Sequence, residues 1–455
     1  MTSFDFLHIE AEIIGNKVVG KAGGVLGKML QPYVDQFFEK INSLKVIARV
    51  NGMHVYNLYN PPFPSQAGMR FLERKLRMML YKTAFPVTAN LAITHKCQCQ
   101  CIHCSADPFI DPTKKELTVE EIKTVVDGAL DLGASLVIYV GGEPLLREDI
   151  YELIRYVDKT KAIPMIFTNG LLLTEENVRK LANAGLFSLN ISIDSSEPEL
   201  HNEFRAVPGC YQKAFEGAER CRKAGILTGI STYATSESIK TGKVEKLLKI
   251  AQEQGFSEVT VFDCIPSGRF LKDASKILTA EDRKQLIAIT RKYHEMNHPM
   301  GINCMSIINS PRGVGCYGAQ SQFYMTAYGD INPCDFNPIN FGNVRDMPIQ
   351  EIWKKMVTHP DFSKRYPTCR MQSKAYRKKY IDPLPKNVRL PVRIEDIALV
   401  EMADQESILA GMQKYPLRSL FKQKNGLSYR PQKKKFSISI FCHFSVFYEE
   451  GNYGQ

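Results

Sequence analysis

The sequence lacks the features that mark membrane-spanning and secreted proteins. It contains no stretch of about 18 consecutive apolar residues, so no segment is expected to cross a membrane. Its start lacks the basic region, apolar run and cleavage site of a secretory signal. Twelve cysteines in a chain of 455 residues are also not the pattern of a small disulfide scaffold. We therefore expect a reducing, cytoplasmic location and thiols that bind metal.

The charge of the chain is unbalanced but not concentrated. The formal net charge is +11, yet Lys and Arg are spread along the sequence, with dense runs only near 70–82, 374–379 and 433–435. Runs of this kind are usually solvated faces, so no nucleic acid partner is expected. With 44% hydrophobic and 24% charged residues, the composition indicates a globular protein with a large core and two or three structural units.

One segment has the composition of a helix that contacts a membrane surface without crossing it. Residues 69–81, MRFLERKLRMMLY, place Phe, Leu and Met among Arg and Lys at helical spacing. Such a helix either lies on a lipid surface or packs its apolar face on the barrel. Packing is the preferred interpretation, and peripheral membrane contact is the alternative.

The first 85 residues differ in pattern from the rest of the chain. A strand-like stretch at 7–18, a helical pattern at 25–41 and a proline-rich break at 56–66 indicate an accessory N-terminal unit, residues 1–85.

From 86 to 275, short apolar runs alternate with amphipathic segments, which predicts an α/β fold of repeated βα units. The predicted strands are 87–93, 136–139, 165–168, 186–193, 227–233 and 258–263. The predicted helices between them are 118–132, 147–159, 174–184, 211–224 and 240–254. Six units make a partial (β/α)6, TIM-like barrel, in which functional sites form on the loops at the C-terminal ends of the strands.

The chain after the barrel is less regular. A helix predicted at 280–293 leads into a loop-rich, cysteine-bearing region at 300–375, which we expect to be a second metal-binding domain. Residues 376–455 form a C-terminal tail of weak periodicity, in which 436–448 is strand-like but isolated.

Three cysteines follow the first predicted strand of the barrel. Cys97, Cys101 and Cys104 have the spacing C-x3-C-x2-C on one loop. Three thiolates can hold three irons of a 4Fe-4S cubane and leave the fourth iron open, whereas an electron-transfer cluster is typically held by four cysteines. The alternative is a structural zinc site completed by Cys99 and His103, but it would leave the rest of the barrel unexplained.

This loop resembles the defining motif of the radical S-adenosylmethionine (radical SAM) superfamily, C-x3-C-x-φ-C. His103 stands at the φ position, and Cys99 is an extra cysteine that we do not expect to be a ligand. The resemblance continues through residue 270. It implies that cofactor contacts come from the motif after the second strand and from the ends of later strands: Gly141, Gly142, Glu143, Pro144, Asn169, Ser192, Asp194 and Arg205.

The chemistry of these residues agrees with that implied role. Glycines allow the backbone to approach a ligand closely, and a carboxylate with carbonyls accepts hydrogen bonds from the ammonium of the SAM methionine. Arg205 is suited to pairing with the SAM carboxylate. Each polar residue also has the simpler interpretation of a helix cap or surface contact. The turn PSGR, 266–269, resembles a family turn whose role is less defined.

A second cysteine set resembles the C-terminal extension called SPASM, or its shorter form Twitch. Cys316, Gly329 and Cys334 fit its spacing and are followed by a GN turn and the sequence EIW. A full SPASM unit continues with a run of further cysteines, of which only Cys369 is present. The resemblance implies one auxiliary 4Fe-4S site on Cys304, Cys316, Cys334 and Cys369, with four-thiolate zinc as the competitor.

The other cysteines, Cys210, Cys221, Cys264 and Cys442, have no ligand spacing and are expected to be buried.

The resemblance implies reductive cleavage of SAM to a 5′-deoxyadenosyl radical that abstracts hydrogen from a substrate. It also implies a reducing partner such as ferredoxin or flavodoxin. A ribosomal peptide is the first substrate hypothesis, because many SPASM-type relatives act on peptides. The alternatives are a tetrapyrrole, lipid or other small molecule and, in another class, a non-catalytic iron-sulfur or zinc-binding protein. No catalytic residue beyond these ligands is predicted.

Overall fold

The N-terminal unit begins with a β-hairpin and a helix. The computed structural model describes residues 6–385 and 388–397. Strand β1 (His8–Ile14) pairs antiparallel with β2 (Lys17–Gly23), and helix α1 (Gly27–Asn42) packs its apolar face on the hairpin. The single strand predicted at 7–18 was therefore wrong. The chain reverses at Gly15, whose φ of +65° suits glycine.

The amphipathic segment near residue 70 packs within the protein. A short hairpin of β3 (Ala48–Val50) and β4 (Met53–Val55) precedes helix α2 (Gln66–Tyr81). The helix buries Phe71, Leu72 and Leu76 in the core of the N-terminal unit. The segment therefore packs within the protein, but its apolar face meets the core of the N-terminal unit and not the barrel as predicted. Within the described residues, no helix is long and apolar enough to cross a membrane.

A parallel sheet forms the centre of the molecule. Its six core strands, in spatial and chain order, are β5 (Thr88–Thr94), β6 (Leu136–Gly141), β7 (Ile163–Thr168), β8 (Ser188–Ser192), β9 (Leu227–Ala234) and β10 (Glu258–Asp263). All six strands predicted from the sequence are present, with ends shifted by up to two residues. Long runs of β-branched and other apolar residues, fully buried here, are typical of a parallel sheet.

Helices connect these strands as the sequence predicts, with two differences. They are α3 (Val119–Leu132), α4 (Ile150–Tyr156), α5 (Glu175–Ala184), α6 (Pro198–Arg205), α7 (Cys210–Lys223), α8 (Ser236–Lys240) and α9 (Lys243–Glu253). Helix α6 was not predicted. The helix predicted at 240–254 is divided by Gly242, which has a φ of +73° and caps α9. Capping residues such as Thr118 fix the helix starts.

The sheet extends beyond the six core strands at both edges. Helix α10 (Ala280–Glu295) leads to β11 (Gly301–Cys304), which pairs parallel with β10 and is followed by α11 (Met305–Ile308). On the other edge, β12 (Gln322–Met325) pairs parallel with β5, and β13 (Ile331–Asn332) pairs antiparallel with β12. The result is a nine-stranded open sheet, which confirms an incomplete barrel.

The cysteine-rich region packs directly on this sheet. It contains β14 (Ile339–Asn340), α12 (Ile349–Thr358), α13 (Lys374–Tyr380) and β15 (Val392–Arg393), which pairs with β14. Helix α12 lies on α3, and the indole of Trp353 donates to the carbonyl of Ala84 at 3.3 Å. The strand predicted at 436–448 lies outside the described residues.

Residues 57–60 of the N-terminal unit close the amino-terminal end of the sheet. The backbone N–H of Leu58 donates to Glu258 at 3.2 Å. The hydroxyl of Tyr59 accepts from Asn190 at 2.7 Å and lies 2.9 Å from the hydroxyl of Thr260. The floor of the barrel is therefore supplied by a part of the chain outside the six βα units.

Candidate active site

The first three cysteines lie on the loop that follows β5, at the carboxyl end of the sheet. Cys97 is exposed, Cys101 is buried and Cys104 is intermediate. The thiol of Cys99 lies between Cys97 and Cys101 and hydrogen-bonds to both. That contact lowers the pKa of Cys97, and it lowers the pKa of Cys101 to about 7. A lowered thiol pKa favours the thiolate, the form that binds metal.

Two neighbouring elements hold this loop in place. The N–H of Gln100 donates to the carbonyl of Arg205, the last residue of α6, at 3.2 Å. The N–H of Arg269 donates to the carbonyl of Cys104, also at 3.2 Å. A Cβ on Gly268 would stand 2.0 Å from that carbonyl, so only glycine fits there. The PSGR turn thus packs against the cysteine loop.

The two glycines after β6 have the same purpose. The N–H of Gly142 donates to the carbonyl of Thr94 at 2.8 Å. A Cβ on Gly141 would lie 2.1 Å from the Thr94 carbonyl oxygen, and one on Gly142 would lie 2.2 Å from that of Lys96. Pro144 starts a single 3-10 turn directly afterwards. The GGEP segment therefore supports the cysteine loop, and its two glycines also line the adjacent cavity.

The carboxylate of Glu143 is turned into the protein. It accepts from the hydroxyl of Thr168 at 2.8 Å, the N–H of Asn169 at 2.8 Å and the N–H of Leu145 at 3.2 Å. Complete burial raises the pKa of Glu143 to about 7, although these donors act in the opposite direction. In this structure Glu143 joins the ends of β6 and β7, while Asn169 lines the cavity.

Asn169 and Ser192 stand at consecutive strand ends beside the cysteine loop. The side-chain nitrogen of Asn169 is 3.9 Å from the sulfur of Cys97, and its side-chain oxygen accepts from the N–H of Leu171 at 3.0 Å. Ser192 ends β8 and faces the same cavity. Both residues are polar groups at the carboxyl edge of the sheet, where ligands of parallel βα folds bind.

Asp194 and Arg205 form a buried ion pair behind the cysteines. The Nε of Arg205 donates to Asp194 at 2.6 Å, and His103 Nε2 is 3.6 Å from the other carboxylate oxygen. Burial opposes ionisation of Asp194, but Arg205 and His103 outweigh it and hold the pKa at about 2. The His103 ring lies over Tyr233, with centroids 4.4 Å apart. Arg205 makes this pair through Nε and also lines the cavity.

Three cysteines of the second set lie together, although they come from separate segments. Cys316, Cys334 and Cys369 are all buried, and their charges influence one another. Burial is the main reason that the pKa of Cys369 is raised to about 12, and the nearby Cys316 adds to the effect. Burial also raises the pKa of Cys334. The N–H of Cys316 donates to the carbonyl of Tyr366 at 2.9 Å, which joins two of the segments.

Cys304 is positioned differently from these three. It ends β11, is fully buried and hydrogen-bonds to the side chain of Thr290 on α10. Its pKa is raised to about 12 by burial and then by the nearby Asp263. Unlike Cys316, Cys334 and Cys369, Cys304 does not line the cavity. The structure thus brings together three of the four cysteines predicted as one ligand set.

One cavity of about 810 Å³ connects the two cysteine sets. Its wall includes Cys97, Cys101, Cys104, Cys316, Cys334 and Cys369, together with Asn169, Ser192, Asp194 and Arg205. Ligand pockets typically measure about 300–1,000 Å³, so this one is large enough for a cofactor and part of a substrate.

The donor sets fit iron-sulfur clusters. Three thiols on one loop that line the cavity would hold three irons of a cubane and leave the fourth for SAM, and three buried thiols need positive charge beside them to ionise. Within the described residues, no three His, Cys, Asp or Glu side chains converge closely enough to hold a single metal ion.

Several cavity residues were not predicted from the sequence. Asp335 directly follows Cys334, and burial raises its pKa to about 6. Burial, and then the charges of Asp335 and Cys104, raise the pKa of Tyr324 on β12. This tyrosine lines the cavity between the two cysteine sets. Adjacency to Cys334 was the one sequence signal for Asp335. Tyr324 had none, because its position depends on β12 joining the sheet.

The remaining cysteines behave as predicted where they are described. Cys210, Cys221 and Cys264 are all buried, and Cys264 also lines the cavity. Cys442 lies outside the described residues.

Comparison with protein families agrees with this geometry. Residues 91–241 match the Radical SAM superfamily, and residues 316–373 match SPASM, an iron-sulfur cluster-binding domain. The first range carries the cysteine loop and the strand-end motifs. The second carries Cys316, Cys334 and Cys369.

Two similar proteins are named AdoMet-dependent heme synthase. That of Oleidesulfovibrio alaskensis is 28% identical over 285 residues, which are 58% of this chain and 73% of that protein. That of Methanosarcina barkeri is 29% identical over 301 residues, 61% of this chain and 84% of that protein. The Fe-coproporphyrin III synthase of Methanosarcina barkeri is 24% identical over 296 residues, 57% of this chain and 72% of that protein.

A solved structure shares the fold. Streptococcus suis SuiB bound to S-adenosylmethionine superposes with a TM-score of 0.51 and 17% identity, covering 63% of this chain and 69% of that one. This likeness shows the fold. The two family matches establish the class of the protein and its cofactors, a 4Fe-4S cluster with SAM and an auxiliary iron-sulfur site. The chain is a radical SAM enzyme with a SPASM-type C-terminal domain.

Proposed function

We propose that this enzyme performs radical chemistry on a tetrapyrrole bound in the cavity that joins the two cysteine sets. The observation that carries the proposal is that one cavity is lined by Cys97, Cys101 and Cys104 at one side and by Cys316, Cys334 and Cys369 at the other. A substrate there would contact the SAM site and the auxiliary site at once.

The residues of the carboxyl edge are suited to hold SAM. When bound, the cluster and SAM supply a 5′-deoxyadenosyl radical that abstracts hydrogen from the substrate. The terminal amines of Arg205 are available for the methionine carboxylate, because Asp194 fixes the guanidinium through Nε alone. Gly141 and Gly142 allow the end of β6 to approach the backbone carbonyls of Thr94 and Lys96 closely, and both glycines line the cavity. Asn169 and Ser192 complete this wall with polar groups.

For the second site, we propose Cys316, Cys334 and Cys369 as ligands of the auxiliary cluster. Their burial, their mutual electrostatic influence and their shared position on the cavity wall support this assignment. Cys304 is left out of this ligand set, because its thiol hydrogen-bonds to Thr290 and it does not line the cavity.

The substrate class rests on the relatives and on the wall of the cavity. Proteins named heme synthase and Fe-coproporphyrin III synthase, at 24–29% identity, favour a tetrapyrrole over the peptide hypothesis. The cavity wall is rich in aromatic rings, among them Phe167, Tyr233, Phe262, Tyr317, Tyr324 and Phe336. Flat aromatic ligands stack well on such rings.

An external reductant completes the proposal. Cys97 and its neighbours Lys96 and Gln98 are exposed, so the cysteine loop is open to a small electron carrier such as ferredoxin or flavodoxin. We assign residues 86–275 to the SAM-binding barrel and 300–375 to the auxiliary site. Residues 1–85 close the barrel floor through Leu58 and Tyr59.

The test uses the anaerobically reconstituted full chain with SAM, dithionite and iron-coproporphyrin III. We expect release of 5′-deoxyadenosine and conversion of iron-coproporphyrin III to a new product, both measured by mass spectrometry. Release of 5′-deoxyadenosine with the tetrapyrrole unchanged would overturn the substrate class. A protein that holds iron but releases no 5′-deoxyadenosine with any reductant would overturn the catalytic proposal.

A further inference from the structure

The cavity has few positive charges. Among its described lining residues, Arg205 and Arg269 are the two permanent cations. Two histidines, His95 and His103, also line it. The permanently charged partners that the described wall offers to an anionic group of a substrate are therefore these two guanidiniums.

The two arginines are paired in very different surroundings. Arg205 pairs with Asp194 at 2.6 Å, and the two side chains are 11% and 3% exposed. Arg269 pairs with Asp107 at 2.6 Å, but these side chains are 38% and 37% exposed. A buried pair is costly to break, whereas an exposed one contributes little to stability. Arg269 can therefore exchange its carboxylate at little cost, and Arg205 cannot.

The position of Arg269 puts its side chain at the edge of the SAM site. Its backbone is fixed by the hydrogen bond to the carbonyl of Cys104, and its turn, 268–270, packs on the turn 107–109. Asp107 first, and then the charges of Cys104 and Cys101, raise the pKa of Arg269. A carboxylate bound by this guanidinium would be held next to the loop of the three cysteines.

We propose that Arg269 binds a carboxylate side chain of the substrate at the mouth of the cavity, replacing Asp107 as its partner. The inference rests on the proposed tetrapyrrole function, since coproporphyrins carry propionate groups that suit a bidentate guanidinium. It makes Arg269 a specificity-determining residue and Asp107 an internal competitor for the same guanidinium. Arg205 keeps its place beside Asp194 and serves the SAM carboxylate.

The test measures dissociation constants for iron-coproporphyrin III and for its methyl ester, by absorbance titration of the holoprotein with SAM. Arg269→Gln should weaken binding of the acid roughly 10- to 100-fold, as expected for a lost hydrogen bond to a charged group. Binding of the ester should be unchanged. Arg269→Lys should restore part of the affinity, and Asp107→Asn should tighten binding of the acid by up to about fivefold.

The control is Arg345→Gln. Arg345 forms a similar exposed pair with Glu121, at 2.7 Å with 37% and 33% exposure, but does not line the cavity. This variant should bind both compounds as wild type does. If Arg269→Gln binds the acid as tightly as wild type, the role of Arg269 is overturned and the proposed function stands. If Arg269→Gln weakens SAM and substrate equally, Arg269 belongs to the SAM site. If wild type binds neither compound, the proposed function itself fails.

Discussion

The two cysteine regions of this enzyme are built in opposite ways. Cys97, Cys101 and Cys104 lie on a single loop, partly exposed, and are held by backbone hydrogen bonds from neighbouring turns. Cys316, Cys334 and Cys369 come from three segments, and all three are buried along the cavity wall. The first set is local in sequence and open to ligands, whereas the second exists only after the C-terminal region has packed on the sheet. A cluster on the exposed loop suits the binding of SAM, and a cluster on the buried cysteines suits an auxiliary role.

The largest effect is expected when the three cysteines of the first loop are removed. Changing Cys97, Cys101 and Cys104 together to Ala should reduce 5′-deoxyadenosine release to background and remove about four irons per chain, because no thiolate remains for that cluster. Iron and sulfide assays with liquid chromatography of the nucleoside measure both effects. Iron at the second set should persist. Retained SAM cleavage would show that the loop is not the SAM site.

Disrupting the second set should separate SAM cleavage from product formation. Cys316→Ala should lose about four irons and the tetrapyrrole product while it still releases 5′-deoxyadenosine. Cys304→Ala is the matched control, since Cys304 faces Thr290 rather than the cavity. It should keep its iron and its product. Equal iron loss in the two variants would make Cys304 a ligand and contradict the three-cysteine grouping.

A glycine beside each cysteine set can be changed to alanine to compare how tightly the two sets are packed. We expect a larger loss of stability from Gly142→Ala, beside the first set, than from Gly318→Ala, beside the second. In Gly142→Ala the new Cβ would lie 2.2 Å from a rigid backbone oxygen, that of Lys96, so the loop must shift. We expect a cost of about 1–3 kcal/mol and a weaker SAM complex. In Gly318→Ala the nearest atom, the Pro333 Cβ, is 3.3 Å away and the effect should be smaller. Thermal unfolding and SAM titration measure both effects. A larger loss of stability or of SAM affinity in Gly318→Ala than in Gly142→Ala would contradict the comparison.

The smallest effect is expected at the additional cysteine of the loop. Cys99 hydrogen-bonds to two of the loop thiols but is absent from the three-cysteine motif. Cys99→Ser retains a hydroxyl that can make similar contacts. It should therefore leave iron content unchanged and 5′-deoxyadenosine release within about twofold. Loss of iron in this variant would instead make Cys99 a ligand.

The same contrast explains what could be predicted from the sequence. The six strands and the cysteine loop were predicted correctly, because alternating βα units and a close cysteine spacing are local patterns. The inward turn of Glu143 and the separation of Cys304 from Cys316 were not predicted. Both depend on which elements pack together, here β7 against Glu143 and α10 against Cys304.

The N-terminal unit and the cavity wall gave weaker sequence signals. Residues 57–60 carry no chemical motif, yet Tyr59 reaches Asn190 and Thr260 and closes the barrel floor. Arg269 was part of a recognised turn, but its pairing with Asp107 requires two distant loops to meet. Tertiary contacts of this kind have no periodicity to detect.

The central claim is that SAM and a carboxylate-bearing tetrapyrrole meet in one cavity. The most direct measurement is transfer of deuterium to 5′-deoxyadenosine from iron-coproporphyrin III in which every carbon-bound hydrogen is replaced by deuterium. The account predicts deuterium in the 5′-deoxyadenosine that wild type forms, detected by mass spectrometry. Formation of unlabelled 5′-deoxyadenosine alone, with labelled tetrapyrrole present and bound, would contradict it.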